Sequence, residues 1–294
     1  MEKFGILKSS LTLINSRKEV IIALTWSTAL ATVIAGKGLP PISKSFLSII
    51  AIMFITLSVY IYNDIIDREM DAYSKKESKK GRPIANGVVS VNFAKKFVLI
   101  TAGLGFFTTL LISKTAFIIG FFYYVLYFLY SYPQVRFKTK YIMKNIVTSS
   151  AMPISFLLGG VAVQNSLSTT IVFLAGTYFI FLFLTLPAGA DCVDIEEDRA
   201  FKVKTIGGTL TWRQNILLFN LGILLMILSA FTLHKIFGMN YLPPVLMASI
   251  GTPIIIYNIS ISNLDSLKGI DKLRPVGYSY LMLTHLILTL GVLF

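Results

Sequence analysis

Two short clusters of acidic and amide side chains stand out as groups that could do metal and phosphate chemistry. In the first cluster such side chains recur every fourth residue, at Asn63, Asp67 and Asp71. In the second they recur at steps of three and four residues, at Asp191, Asp194 and Asp198. On an α-helix, both spacings place the side chains on one face. Because each cluster follows a long apolar run, we predict a row of oxygen ligands at the end of each of two membrane helices.

An oxygen-rich cluster of this kind favours a hard cation. Neighbouring carboxylates repel one another in a partly buried site, and Mg²⁺ is usually held by one or two carboxylates together with substrate phosphates. We therefore predict two magnesium ions that would bind a diphosphate. The six residues of the two clusters are the predicted catalytic residues, and the metal ligands among them are Asn63, Asp67, Asp71, Asp194 and Asp198. Asp64 is rotated by roughly 100° from the first row and is not expected to be a ligand.

Basic and phenolic residues near the clusters could bind the diphosphate. Arginine binds phosphate through two parallel hydrogen bonds, and lysine binds it as a point charge. The candidates are Lys80, Arg82, Tyr132, Arg136, Lys138 and Lys204. The alternative is that these charges orient the chain in the membrane and attract anionic lipid. For any single lysine that alternative is favoured, and for Arg82 and Arg136 the two interpretations stay open.

The apolar runs that precede the clusters predict a membrane protein. Charged residues make up 14% of the 294 residues, against about 25% in a typical soluble protein. Several apolar stretches have the roughly 20 residues that a bilayer requires. We predict one all-α domain over residues 1–294, a polytopic bundle of nine transmembrane helices. The helices are expected at about 19–38, 42–65, 93–112, 115–131, 141–163, 168–190, 214–234, 242–261 and 274–294. The clusters follow helices 2 and 6, which indicates a weak internal repeat of helices 1–4 and 5–8, with helix 9 added.

The distribution of charged and polar residues predicts the orientation of the chain in the membrane and favours an enzyme over a transporter. Only four of the 27 basic residues lie in loops on the side opposite the clusters: Lys37, Lys44, Lys114 and Lys235. By the positive-inside rule, the N-terminus and the face with the clusters are cytoplasmic in the cell membrane, and the C-terminus is outside. This bias explains the net charge of +13, so we predict no nucleic-acid partner. A cation-coupled transporter is the alternative function, but it would need polar groups at mid-membrane, where the predicted helices are poor in them.

Four segments in their order resemble the UbiA-type intramembrane prenyltransferase superfamily: NDIIDREMD, GRPIANGVVS, YSYPQVR and DCVDIEEDRAFKVKT. The resemblance implies Mg²⁺-dependent transfer of a prenyl group from a prenyl diphosphate to a lipophilic or aromatic acceptor in the membrane, with release of diphosphate. It also implies that Arg17, just before the first membrane helix, lies near the diphosphate. The family's Y-x-x-x-K element stands here as Tyr132 to Arg136, or to Lys138 two residues later, so either basic residue could contact the phosphate.

The acceptor stays open between a quinone-precursor type and an isoprenoid-lipid type. The segment TLPAGA before the second cluster carries no basic residue, which argues against a glyceryl phosphate acceptor. Membrane lipid is the remaining expected partner. Cys192, His234 and His285 are expected to pack in the bundle and not to bind ligands.

Overall fold

The nine-helix membrane bundle predicted from the apolar runs is confirmed. The computed structural model describes residues 5–73, 81–195, 198, 203–264 and 266–294. In this part of the chain there are ten long helices and no strand. They are α1 (Ile6–Ser16), α2 (Lys18–Ala35), α3 (Ile42–Tyr73), α4 (Val91–Ile112), α5 (Lys114–Ser131), α6 (Tyr141–Gln164), α7 (Thr169–Gly189), α8 (Trp212–Lys235), α9 (Leu242–Ile261) and α10 (Ser266–Leu293). Nine helices of the described residues, α2 to α10, are long and apolar enough to cross a membrane, and the chain is an integral membrane protein.

Helix α3 carries the first acidic cluster beyond the apolar layer. It has 32 residues and is therefore about 48 Å long, whereas the hydrocarbon core of a bilayer is about 30 Å thick. The excess length lets α3 continue without a break through Asn63, Asp67 and Asp71 at one end of the bundle, where Asp67 and Asp71 are buried. The prediction of an α-helical row is confirmed for this cluster.

The second cluster is not on a continuous α-helix, and the prediction for it is wrong. Helix α7 ends at Gly189, and Asp191–Asp194 form a 3-10 helix. The reason is a tertiary contact with the short helical turn Ile206–Thr209. Gly207 lies so close to the carbonyl oxygen of Pro187 that a Cβ would clash with it, and the Gly207 N–H donates to Asp191 Oδ2 at 3.2 Å. Asp191 therefore faces the turn and not a helical row.

Close packing of α2 against α6 sets the interior of the bundle. Gly159 on α6 lies against the carbonyl oxygen of Thr28 on α2, where a Cβ would clash. A small residue at this point lets the two backbones approach, as is common between membrane helices.

The histidines and the cysteine pack in the bundle, as expected. His285 is fully buried on α10, and its ring lies 2.9 Å from Ser27 Oγ and 2.8 Å from the Leu281 carbonyl. His234 lies 2.8 Å from the carbonyl oxygen of Met239. The buried Cys192 thiol lies 3.7 Å from the Gly207 carbonyl oxygen. Each of these polar groups is thus satisfied locally.

Candidate active site

The first acidic cluster is hydrogen-bonded to the end of α5 and to the turn that follows it. The Asn63 amide donates to Asp67 Oδ2 and to Ser131 Oγ, both at 2.8 Å. Lys138, in the 3-10 turn Phe137–Thr139, donates from Nζ to Asp67 Oδ1. Burial lowers the pKa of Lys138, and the charge of Asp67 opposes that shift. An amide, a carboxylate and an ammonium group thus meet at one point.

Asp64 binds two arginines, on a different face of α3 from the predicted row. Its carboxylate is buried and accepts from Arg17 Nε at 2.9 Å, and it forms ion pairs with both Arg17 and Arg82. The Arg17 guanidinium also lies 5.4 Å from the ring centroid of Tyr60, within the range of a cation–π contact. Asp64 therefore fixes two guanidinium groups in place.

The R-P-x-x-x-G element forms the turn that presents Arg82. The Arg82 carbonyl accepts from Asn86 N at 3.1 Å, and the Pro83 carbonyl accepts from Val88 N at 2.9 Å. Gly87 closes the turn with φ of +68°, a left-handed conformation that glycine adopts without steric cost. The spacing of arginine and glycine in this motif therefore reflects the geometry of the turn.

The second cluster pairs with Lys144, a residue that the sequence reasoning did not select. Lys144 Nζ on the first turn of α6 lies 3.1 Å from Asp191 Oδ1 and 3.3 Å from Asp198 Oδ2. Lys138 and Lys144 are only six residues apart, and each pairs with a different acidic cluster. The run of basic residues between α5 and α6 was the available signal, but it did not distinguish Lys144 from its neighbours.

The remaining predicted residues are placed less centrally. The Tyr132 hydroxyl donates to Gln134 Oε1 at 3.2 Å, and Lys204 is exposed. Asp71 is buried. Lys80 and the side chain of Asp194 lie outside the described residues.

Arg136 has a strained backbone beside the site. Its φ is 46° and its ψ is 58°, the left-handed region, which costs a non-glycine residue about 1 kcal/mol or more. Its N–H donates to the Tyr132 carbonyl at 2.8 Å, and its buried Nε has no hydrogen-bond partner among the described residues. The same is true of both polar atoms of the buried Asn145, next to Lys144. These atoms could hydrogen-bond a ligand.

The donor set suits a magnesium ion that shares its ligands with a substrate. Among the described side chains, no three acidic, histidine or cysteine groups converge as in a complete metal centre. Mg²⁺ needs only one or two carboxylates when phosphate oxygens and water supply the other ligands. Asp67 beside Asn63 and Asp191 near Asp198 meet that requirement.

A cavity of about 540 Å³ lies between the two arginines bound to Asp64 and the end of α7, within the usual range for ligand pockets of about 300–1,000 Å³. Its opposite wall is formed by Gly189, Ala190 and Val193, next to the second cluster. Among the described residues, its charged lining residues are Arg17, Lys18, Arg82 and Arg274, with Glu19 as the only acid. Four cations against one acid make this cavity attractive to an anion.

Comparisons with known proteins identify the family of this chain. The model of the UbiA prenyltransferase family matches residues 24–274. The digeranylgeranylglyceryl phosphate synthase of Sulfolobus acidocaldarius is 26% identical over 253 residues, which cover 84% of this chain and 86% of the relative. The protoheme IX farnesyltransferase of Bacillus mycoides is 31% identical over 147 residues, which cover 49% of this chain and 44% of the relative.

Two solved structures share the fold. One, described for digeranylgeranylglyceryl phosphate synthase, superposes with a TM-score of 0.78 at 21% identity and covers 99% of each chain. The other is a UbiA homolog from Archaeoglobus fulgidus bound to GPP and Mg²⁺, with a TM-score of 0.63 at 15% identity, covering 95% of this chain and 99% of that one. The chain therefore belongs to the UbiA prenyltransferase family, and it is a prenyltransferase.

Proposed function

We propose that this protein transfers a prenyl group from a prenyl diphosphate to an isoprenoid glyceryl phosphate and releases diphosphate. The observation that carries the proposal is the cation-lined cavity of about 540 Å³ between the two arginines bound to Asp64 and the end of α7. A diphosphate and a lipid phosphate are both anions that such a cavity would attract. Membership of a prenyltransferase family disfavours the cation-coupled transporter.

Arg17, Arg82, Lys138 and Lys144 are the proposed ligands of the donor diphosphate. Asp64 holds the two arginines at the cavity wall. Lys138 forms an ion pair with Asp67 of the first cluster, and Lys144 forms one with Asp191 of the second. As the allylic C–O bond breaks, negative charge grows on the leaving diphosphate, and fixed cations stabilise that charge. The apolar helices around the site exclude water, which would otherwise react with the carbocation-like prenyl group.

The two clusters are the proposed ligands of two Mg²⁺ ions. Asn63, Asp67 and Asp71 would hold one ion, and Asp194 and Asp198 would hold the other, with Asp191 behind them. Bound magnesium would supply neutralising charge for the departing diphosphate. In support of this, the homolog from Archaeoglobus fulgidus is bound to both GPP and Mg²⁺.

The proposed acceptor is geranylgeranylglyceryl phosphate. Addition of one geranylgeranyl group to it gives digeranylgeranylglyceryl phosphate, the product in the name of the Sulfolobus relative. The absence of a basic residue from TLPAGA argued against this acceptor. However, Lys18 and Arg274 line the same cavity as Gly189 and Ala190 of that segment. Positive charge therefore reaches this wall from other helices.

The proposed site faces the cytoplasm from the cell membrane. The cations of the cavity belong to the ends of helices that the positive-inside rule places on the cytoplasmic side. In this arrangement the N-terminus is cytoplasmic and the C-terminus is outside.

The test is a transfer assay with purified protein and radiolabelled geranylgeranyl diphosphate. With Mg²⁺, we expect labelled product from geranylgeranylglyceryl phosphate and none from 4-hydroxybenzoate, the acceptor named for several relatives. EDTA should abolish the reaction. Product from 4-hydroxybenzoate alone would refute the glyceryl phosphate acceptor, and product at the same rate in EDTA would refute the magnesium requirement.

A further inference from the structure

Arg274, near the start of α10, lies where three cavities adjoin. It lines the cavity of about 540 Å³ described above, a second of about 410 Å³ and a third of about 240 Å³. No ion pair involves Arg274 among the described residues, whereas Arg17 and Arg82 are both bound to Asp64. The Arg274 guanidinium is thus a cation that the proposed donor site does not use.

The third cavity is an apolar groove between α7, α8 and α10. Its walls include Phe181 and Leu186 of α7, Phe219 of α8 and Leu281 of α10. It shares Gly189, Ala190 and Arg274 with the cation-lined cavity. The two cavities therefore adjoin at these three residues, with the apolar groove on one side and the cations on the other.

The packing of α10 against α8 keeps this groove beside the charged end. Gly277 of α10 lies against Phe219, so that a Cβ at this position would be 2.7 Å from the ring. The close approach places Arg274, one turn earlier on α10, next to the end of α7. An amphiphile in the groove would have its head group at Arg274.

The charges around Arg274 favour the inner cavity for an anion. Glu19 lines both the inner cavity and the second cavity, whereas Asp271 lines only the second cavity, beside Arg274. On the inner side, Arg17, Lys18 and Arg82 add to the positive charge. An anionic head group is therefore repelled from the outer cavity and attracted to the inner one.

We propose that Arg274 binds the phosphate of the acceptor lipid and that the groove between α7, α8 and α10 holds the part of its isoprenoid chain nearest the head group. This assignment rests on the proposed function, and it makes Arg274 the residue that selects a phosphorylated acceptor. It also provides the cation that the segment Thr185–Ala190 lacks, since Arg274 faces Gly189 and Ala190 across the shared cavity.

The test compares R274Q and R274K with K272Q in steady-state kinetics. Lys272 is an exposed cation two residues away on α10 and lines none of the three cavities. Each protein is assayed with geranylgeranyl diphosphate and two acceptors, geranylgeranylglyceryl phosphate and its phosphate-free counterpart geranylgeranylglycerol.

In R274Q the KM for the phosphorylated acceptor should rise roughly tenfold or more, as expected for loss of a hydrogen bond between charged groups. The KM for the donor should stay within about twofold of the wild type, a range of roughly 0.4 kcal/mol. With geranylgeranylglycerol, wild type and R274Q should perform alike. R274K should fall between wild type and R274Q, and K272Q should match the wild type.

The outcomes separate this inference from the proposed function. If wild-type protein uses geranylgeranylglyceryl phosphate and R274Q has the same KM for it, the role of Arg274 is refuted and the proposed function stands. An equal loss with both acceptors, or a matching rise in donor KM, would also refute the role. If the wild type forms no product from the phosphorylated acceptor, both proposals fail.

Discussion

Replacement of Asp64 by asparagine should remove the counter-charge of two arginines and leave the shape of the site unchanged. The Asp64 side chain is 2% exposed, and those of Arg17 and Arg82 are 11% and 19% exposed. In the variant, both guanidinium groups lose the carboxylate that holds them at the cavity wall. If Asp64 organises the cationic wall, stability and donor binding should both suffer.

The expected loss of stability follows from the burial of the three groups. Breaking a buried ion pair by removal of one partner costs about 3–5 kcal/mol. The partial exposure of the two arginines lowers the penalty, because water solvates the groups in part, so we expect about 3 kcal/mol. For a chain of this size that corresponds to a fall in Tm of roughly 5–10 °C.

The assay is thermal unfolding in detergent, followed by the fluorescence of the two tryptophans, Trp26 and Trp212. The matched control is Glu69→Gln, which removes a carboxylate that is 86% exposed on the same helix. We expect D64N to melt several degrees below E69Q and to have a higher KM for the prenyl diphosphate. If D64N has the same melting temperature as E69Q and the same donor KM as the wild type, Asp64 does not hold the arginines in place and the reasoning is refuted.

Four further perturbations test separate parts of the site. Asp67→Asn should reduce Mg²⁺-dependent transfer by at least about 100-fold, typical of an electrostatic catalytic group, without loss of expression; retained turnover would exclude Asp67 as a metal ligand. Lys144→Met should raise the donor KM and lower Tm, because two carboxylates lose their shared cation; an unchanged donor KM would exclude contact with the diphosphate. Arg136→Gly should be more stable than Arg136→Ala by about 0.5–1 kcal/mol, since glycine relieves the left-handed backbone; equal melting temperatures would argue against strain. Gly207→Ala should lower Tm by a few degrees because the added Cβ clashes with the Pro187 carbonyl oxygen. An unchanged Tm would mean that the turn can shift to accommodate the methyl group.

The helices were predictable because membrane spans leave a strong local signal. An apolar run of about 20 residues indicates a span whatever its neighbours are, and the predicted range 141–163 differs by one residue from the helix Tyr141–Gln164. The first acidic row was predictable for a similar reason. Asn63, Asp67 and Asp71 continue the helix without a break, so their spacing alone determines the face they share.

The second row was not predictable because contacts distant in sequence determine its backbone. The 3-10 helix at Asp191–Asp194 depends on Gly207, 16 residues later in the chain. The partners of the acids depend in the same way on the fold. Asp64 pairs with Arg17, 47 residues earlier, and Asp198 pairs with Lys144, 54 residues earlier. No local pattern distinguishes these lysines and arginines from the many that orient the chain in the membrane.

The left-handed backbone of Arg136 has no signal in the sequence either. Glycine or asparagine would have marked the position, since these residues commonly adopt positive φ. In the sequence, the arginine at this position cannot be distinguished from the other basic residues of the loop. Its conformation follows from the turn that joins α5 to Lys138, closed by the hydrogen bond from Arg136 N to the Tyr132 carbonyl.

The most direct test of the account is equilibrium binding of geranylgeranyl diphosphate to the purified protein, with Mg²⁺ and with EDTA. The cation-lined cavity and the two acidic clusters together predict saturable binding that requires Mg²⁺ and is weakened in D67N. Binding of equal strength in EDTA would contradict the role of the clusters as metal ligands. No binding to folded protein under either condition would contradict the assignment of the cavity as a diphosphate site.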